Sequence, residues 1–187
     1  MKSVAPPPVF TDALATLREA IIDPALYFQE VPGPTRLAPW SASIEIVTRE
    51  QIGTDPLGRA TFTILYDPTE QDLWDSPFRL IGQARLSIDE EQSTDPLLGE
   101  VVWKTFVFCL EEAGAFPHQL VGTVTRETSQ SFGGLTLYGS TFNADLRCSW
   151  SPVGNNLAPH FSAWTEALRL NCGAMPHGVL SLGQHYG

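Results

Sequence analysis

Arg79, Arg85 and Arg147 fall at odd positions in segments whose side chains alternate, so an extended backbone sets all three guanidinium groups on one face. Clustered guanidinium groups bind carboxylate or phosphate through paired N–H donors. Glu45, Glu127 and Asp145 can meet them across strands, and ion pairs of roughly 0.2 to 1 kcal/mol each would explain the same residues as ordinary surface design. Thr123, Thr125, Glu127, Ser129 and Ser131 form a second polar row, flanked by Gly122, Gly133 and Gly134. Such a row could cradle an anion. Threonine is equally a favoured residue on a solvated strand face, and paired glycines make a turn. The candidate ligand contacts are Arg79, Arg85, Thr123, Thr125, Arg126 and Arg147.

Other chemistries find less support. His118, His160, His177 and His185 do not recur at metal-ligand spacing, so neither a metal nor a cofactor is expected. Cys109, Cys148 and Cys172 are odd in number, contain no Cys-x-x-Cys pair and sit among apolar residues, which reads as small buried hydrophobes in a reducing compartment. The chain has no Gly-x-Ser-x-Gly elbow and no phosphate loop ending in Gly-Lys. A Ser, His and acid triad stays open, because its members need only meet in space.

A separate signal is apolar. The segment 96–113 has a helical core face of Leu98, Val102, Phe106, Cys109 and Leu110, yet Val101, Trp103, Val107 and Phe108 lie outside it. With Trp74 from a neighbouring loop they are the candidate interface, for a second copy of the chain in a homodimer or for another protein partner.

These residues need elements to hold them. Apolar spacing from Phe10 to Ile21 predicts a first helix, and the prolines at 32, 34 and 39 mark an ordered loop or edge segment. Strands are predicted at 41–48, 59–66 and 78–89, then the helix 96–113 opened by Asp95-Pro96 and stopped by Gly114. Strands at 119–128 and 141–150 follow, then a helix from about Asn155 to Gly173. The order helix, three strands, helix, two strands, helix predicts an α+β fold, a single antiparallel five-stranded sheet with helices on one face. It is similar in that order to secretion chaperones, an analogy of fold without function. One domain over 1–176 with a loose tail over 177–187 is expected.

Composition narrows the setting. The chain has 187 residues, 43% hydrophobic, enough for one core. A formal charge of -10 disfavours direct binding to nucleic acid or anionic lipid. The proline-rich start lacks a signal-peptide core and no apolar run spans a bilayer, so the expected location is cytoplasmic.

Several phrases resemble an actinobacterial domain-of-unknown-function family, the one numbered three thousand. They are Pro34-Thr35-Arg36-Leu37-Ala38-Pro39-Trp40, Asp67-Pro68 with Trp74, Phe78-Arg79, Thr94-Asp95-Pro96-Leu97-Leu98, and Gly122-Thr123-Val124-Thr125-Arg126 continuing to Ser131-Phe132-Gly133-Gly134. Arg147 with Ser149-Trp150 and Pro152, then Ala163-Trp164, extend the likeness to about Phe10–Pro176. The resemblance implies an actinobacterial cytoplasmic protein and carries no catalytic residue. The expectation is a non-enzymatic, homodimeric protein-binding or adaptor module. The alternatives are a small-ligand binder or enzyme using the segment 122–134 with the arginines, and an RNA-metabolism accessory factor implied by neighbouring ribonuclease D-like genes.

Overall fold

The structure is a computed structural model, and it describes residues 5–69, 71–133 and 140–174. Helix α1 (Pro8–Thr16) runs into a single 3-10 turn (Leu17–Glu19). Strands β1 (Leu26–Val31), β2 (Trp40–Thr48), the two-residue β3 (Gln51–Ile52) and β4 (Asp55–Pro56), β5 (Gly58–Tyr66) and β6 (Phe78–Ile88) follow. Then come α2 (Glu90–Thr94), α3 (Leu98–Glu112), β7 (Pro117–Gln130), β8 (Ser140–Pro152) and α4 (Ala158–Asn171).

The main sheet has six strands in the order β1-β2-β5-β6-β8-β7, every neighbouring pair antiparallel, and β3 with β4 makes a separate two-stranded ladder. The expected α+β class and antiparallel sheet are present, and the expected count of five is corrected to six. The added strand is β1, which ends just before Pro32. Among the described residues it is an edge strand paired only with β2, so it needs no alternating pattern to be held.

Period-two alternation sends Phe62, Ile64, Leu80, Leu86, Leu146 and Trp150 to one face, all buried. Helices α3 and α4 cover that face. Phe106 of α3 packs 5.1 Å from Trp150 and 5.3 Å from Trp164, and Phe161 of α4 lies 5.2 Å from Phe62. Both helices end at the expected glycines, Gly114 (φ +66°) and Gly173 (φ +64°), which accept the left-handed backbone. The start of α3 is corrected. Asp89 and Gln92 form a capping box for the short α2, and α3 begins at Leu98, with the Asp95 carboxylate accepting from the Leu97 N–H at 2.8 Å.

Helix side chains key into glycines of the sheet. A β-carbon at Gly82 would come within 2.6 Å of the Trp164 ring, and one at Gly58 would meet Cys172 and Leu168. The indole of Trp150 donates to His160 Nδ1 at 3.1 Å inside this core. Its neutral imidazole is the form that accepts, and burial pushes its pKa down to about 4.

Candidate functional site

The outer face of the sheet carries the predicted polar residues. Register places Thr123 beside Arg147 and Thr125 beside Asp145, and Arg85 of β6 stands opposite Asp145 from the other side. Arg85, Arg147, Thr123 and Thr125 are therefore brought together across β6, β8 and β7. Arg85 and Arg147, with Arg59, Thr61, Gln83 and Asp145, border a shallow concavity of about 170 Å³, which Thr123 and Thr125 do not line. Arg59 was missed by the sequence reasoning. Its odd position beside Thr61 and Thr63 carried the signal, since the same alternation had sorted Arg79 and Arg85.

Most charge on this open part is spent internally. Arg85 grips Asp145 through two hydrogen bonds of 2.9 Å and reaches Glu127 at 2.7 Å. Arg59 holds Glu45 at 2.6 Å. The Arg85 guanidinium, first by hydrogen bonding, holds the Asp145 carboxyl below the usual range, and Arg147 adds to this through its charge. The Arg147 side chain is exposed and makes no hydrogen bond or ion pair among the described residues. Cations and acids thus alternate here, and no continuous positive stripe forms among these strands.

Arg126 does not join the group. It pairs with Ala144 on the opposite face and donates to the Asp95 carbonyl at 2.9 Å, a strut to the start of α3. An even position on an alternating strand could not share the face of Thr123 and Thr125.

Arg79 is on the outer face but apart from Arg85, at an end where that face is covered. The loop 67–77 crosses there, its Asp75 carboxylate lying 3.6 Å from His118 Nδ1 of β7. Gln71 ties the loop to the Leu37 carbonyl at 3.1 Å. Beneath it Leu65, Arg79 and Ser151 are buried, and so is Trp74 of the loop itself. The outer face is therefore not uniformly wet. Asp75, His118 and Ser151 lie in sequence there, but Ser151 is wholly buried and its Oγ accepts from Arg79 at 3.3 Å. It presents no accessible nucleophile.

The apolar candidates divide. At roughly 100° per residue, Val101 and Phe108 share one side of α3 and Trp103 and Val107 another. Val101 and Phe108 are each 54% exposed, whereas Trp103 packs on Gly122 of β7 and Val107 is half-buried. Trp74, buried in its loop, is not part of an exposed flank.

A second concavity, at α1, was not anticipated. A groove of about 1040 Å³ opens between α1 with its 3-10 turn and the core side of β1 and β2. Leu14, Leu17, Ile22, Leu26, Phe28 and Ile44 give it an apolar lining, with Arg18 and Glu30 among the charged residues. It exists because α1 is held at its ends. Phe10 stacks on Tyr66 at 5.9 Å, Thr16 Oγ1 accepts from the Leu157 N–H at 2.9 Å, and the Ile21 N–H donates to Ser162 Oγ at 2.8 Å. Leu14 and Leu17 carry the apolar spacing that predicted the first helix, and here they face this groove.

Gly134, His177 and His185 lie outside the described residues. Among the described residues no three His, Cys, Asp or Glu side chains gather as metal ligands do, and no helix is long and apolar enough to cross a membrane.

Neither the curated proteins nor the solved structures include a match to this chain. A family model described as a protein of unknown function, DUF3000, matches residues 6–180, and the chain belongs to that family.

Proposed function

We propose that the protein is a non-enzymatic binding module that holds an extended segment of a partner protein along β1. The observation that carries this reading is the coincidence of a sheet edge unpaired among the described residues with the apolar groove directly beneath it. A strand added to β1 gains backbone hydrogen bonds, and every second side chain then points to the core side, where Leu26, Phe28 and Ile44 line the groove. Tyr27 and Phe28 are each about half exposed, so the apolar surface is already presented to solvent. A groove of this size exceeds what one small polar substrate needs, and its lining offers no convergent set of acid, base and nucleophile.

Selection from a random peptide library, followed by amide chemical-shift mapping, tests the reading. The expected result is enrichment of peptides with alternating apolar residues that perturb the amides of 26–31 and of Leu14 and Leu17. Their binding weakens in Phe28→Ser. Peptides that map to β7, or none enriched at all, would count against it.

The homodimer belongs to the same proposal and rests on α3. Val101 and Phe108, seven residues apart on one line and both more than half exposed, supply its apolar contact.

A further inference from the structure

The covered end of the outer face holds a cluster of donors with no negatively charged acceptor among the described residues. Arg79 is 7% exposed, and its guanidinium donates to Ser149 Oγ at 2.7 Å and to Ser151 Oγ at 3.3 Å. Both partners are neutral, and no carboxylate forms an ion pair with Arg79 among the described residues. A hydroxyl that accepts from a guanidinium keeps its own O–H free to donate. Neither serine O–H has an acceptor among the described residues, and the other Arg79 N–H groups make no further hydrogen bond there. A guanidinium stays charged at any pH a protein survives, so the charge cannot be shed by deprotonation. Burying an uncompensated cation costs several kcal/mol.

The backbone beside this cluster adds a second, independent observation. β7 carries a bulge between His118 and Val121, with Gln119 in the left-handed region at φ +49°. Bulges re-aim side chains and are enriched beside binding sites. Here the result sets His118 opposite Ser151, the serine that Arg79 holds from the other side. Asp75, which approaches the imidazole, is itself left-handed at φ +54°. Two non-glycine residues in this sparsely populated region thus flank one cluster.

We propose that Arg79, Ser149, Ser151 and His118 form a binding site for a small oxyanion, a phosphate or carboxylate group, admitted from the β7 side of the loop 67–77. The guanidinium edge and the two hydroxyl protons supply the donors, and His118 supplies a further one at the rim. The anion neutralises the buried charge, and its oxygens are the acceptors that the cluster lacks. The Asp75 carboxylate, 3.6 Å from His118 Nδ1, orients the imidazole. The site is independent of the β1 groove, so either stands if the other fails.

Isothermal titration of the full chain with inorganic phosphate, and separately with acetate at matched ionic strength, tests this. Saturable one-site binding of at least one anion is expected. It weakens by roughly tenfold or more in Arg79→Lys, which keeps the charge and loses the fork, and in Ser149→Ala, which keeps the fork and loses a donor. Lys104→Gln on the exposed surface of α3 leaves the affinity unchanged. Binding of phosphate alone assigns a phosphate-bearing ligand, and binding of acetate alone assigns a carboxylate; either supports the site. No saturable heat with either anion, or equal affinity in wild type and Ser149→Ala, overturns it. Should Arg79→Lys fail to fold, Ser149→Ala decides the comparison.

Discussion

The indole of Trp103 lies against Gly122, where an added β-carbon would stand 2.5 Å from Cζ3 of the ring and 2.9 Å from the Arg147 carbonyl. A helix residue whose size and position suggest an external contact is thus seated on the chain's own edge strand. The contact locks α3 onto β7, an edge strand paired with β8.

Gly122→Ala is accordingly expected to destabilise the fold by about 1 to 3 kcal/mol, because a backbone carbonyl and a packed ring must both move. Trp103→Ala loses buried surface and leaves a void, at a cost of about 3 kcal/mol. Urea unfolding followed by fluorescence measures both. A change within about 0.5 kcal/mol for Gly122→Ala would mean that the ring has room elsewhere.

Self-association is better tested at Phe108. Phe108→Ser alters a half-exposed residue, so it should leave urea stability within about 0.5 kcal/mol of wild type while lowering the mass seen by light scattering. A wild-type chain that is already monomeric at micromolar concentration removes the dimer from the proposal.

Acid should weaken the protein in a defined window. Burial lowers the His160 pKa from 6.5 to about 4, so the unfolded chain takes up a proton that the folded chain refuses. Stability is complete above 6.5 and falls as the pH drops from 6.5 toward 4, by about 3 kcal/mol for a shift of this size. His160→Gln preserves an acceptor for the Trp150 indole and should flatten that slope in a series of urea titrations. An unchanged slope would place the proton uptake elsewhere.

The thiols should be slow. Burial pushes Cys109 up to about 11 and Cys172 up to about 12, and it raises Cys148 as well. Since the thiolate is the nucleophile, a disulfide reagent at pH 8 should titrate all three cysteines only after denaturant is added. Rapid release of one equivalent from the native chain would identify an open thiol.

Arg85 and Asp145 should contribute little despite good geometry. The guanidinium side chain is 52% exposed, so a double-mutant cycle with Arg85→Gln and Asp145→Asn is expected to give under about 1 kcal/mol and to shrink with added salt. A coupling well above that would point to a drier outer face than the exposure of Arg85 indicates.

Alternation made the central strands legible, and with them the company of Arg85, Arg147, Thr123 and Thr125. The same rule separates Arg126 from them by parity. What stayed hidden depends on partners distant in sequence. β1 has one strand neighbour and a run of exposed residues, so its pairing with β2 leaves little periodic trace. Arg79 alternates like Arg85, and only the loop 67–77 lying across it distinguishes a buried charge from a surface one. Trp103 and Val107 fall outside the main apolar stripe of α3, and nothing local says that Gly122 leaves space for a ring. The groove arises from where α1 is tied at its ends, through Tyr66, Leu157 and Ser162, residues far along the chain.

The seating of Trp164 over Gly82 has an evolutionary reading. Its indole Nε1 has no hydrogen-bond partner among the described residues, so shape alone holds the ring there. Volume lost on one member must reappear on the other, and relatives that enlarge the glycine are expected to carry a smaller aromatic or an aliphatic at the second position. The two sites would then be inherited as a lock and its cut key, changing together or remaining fixed.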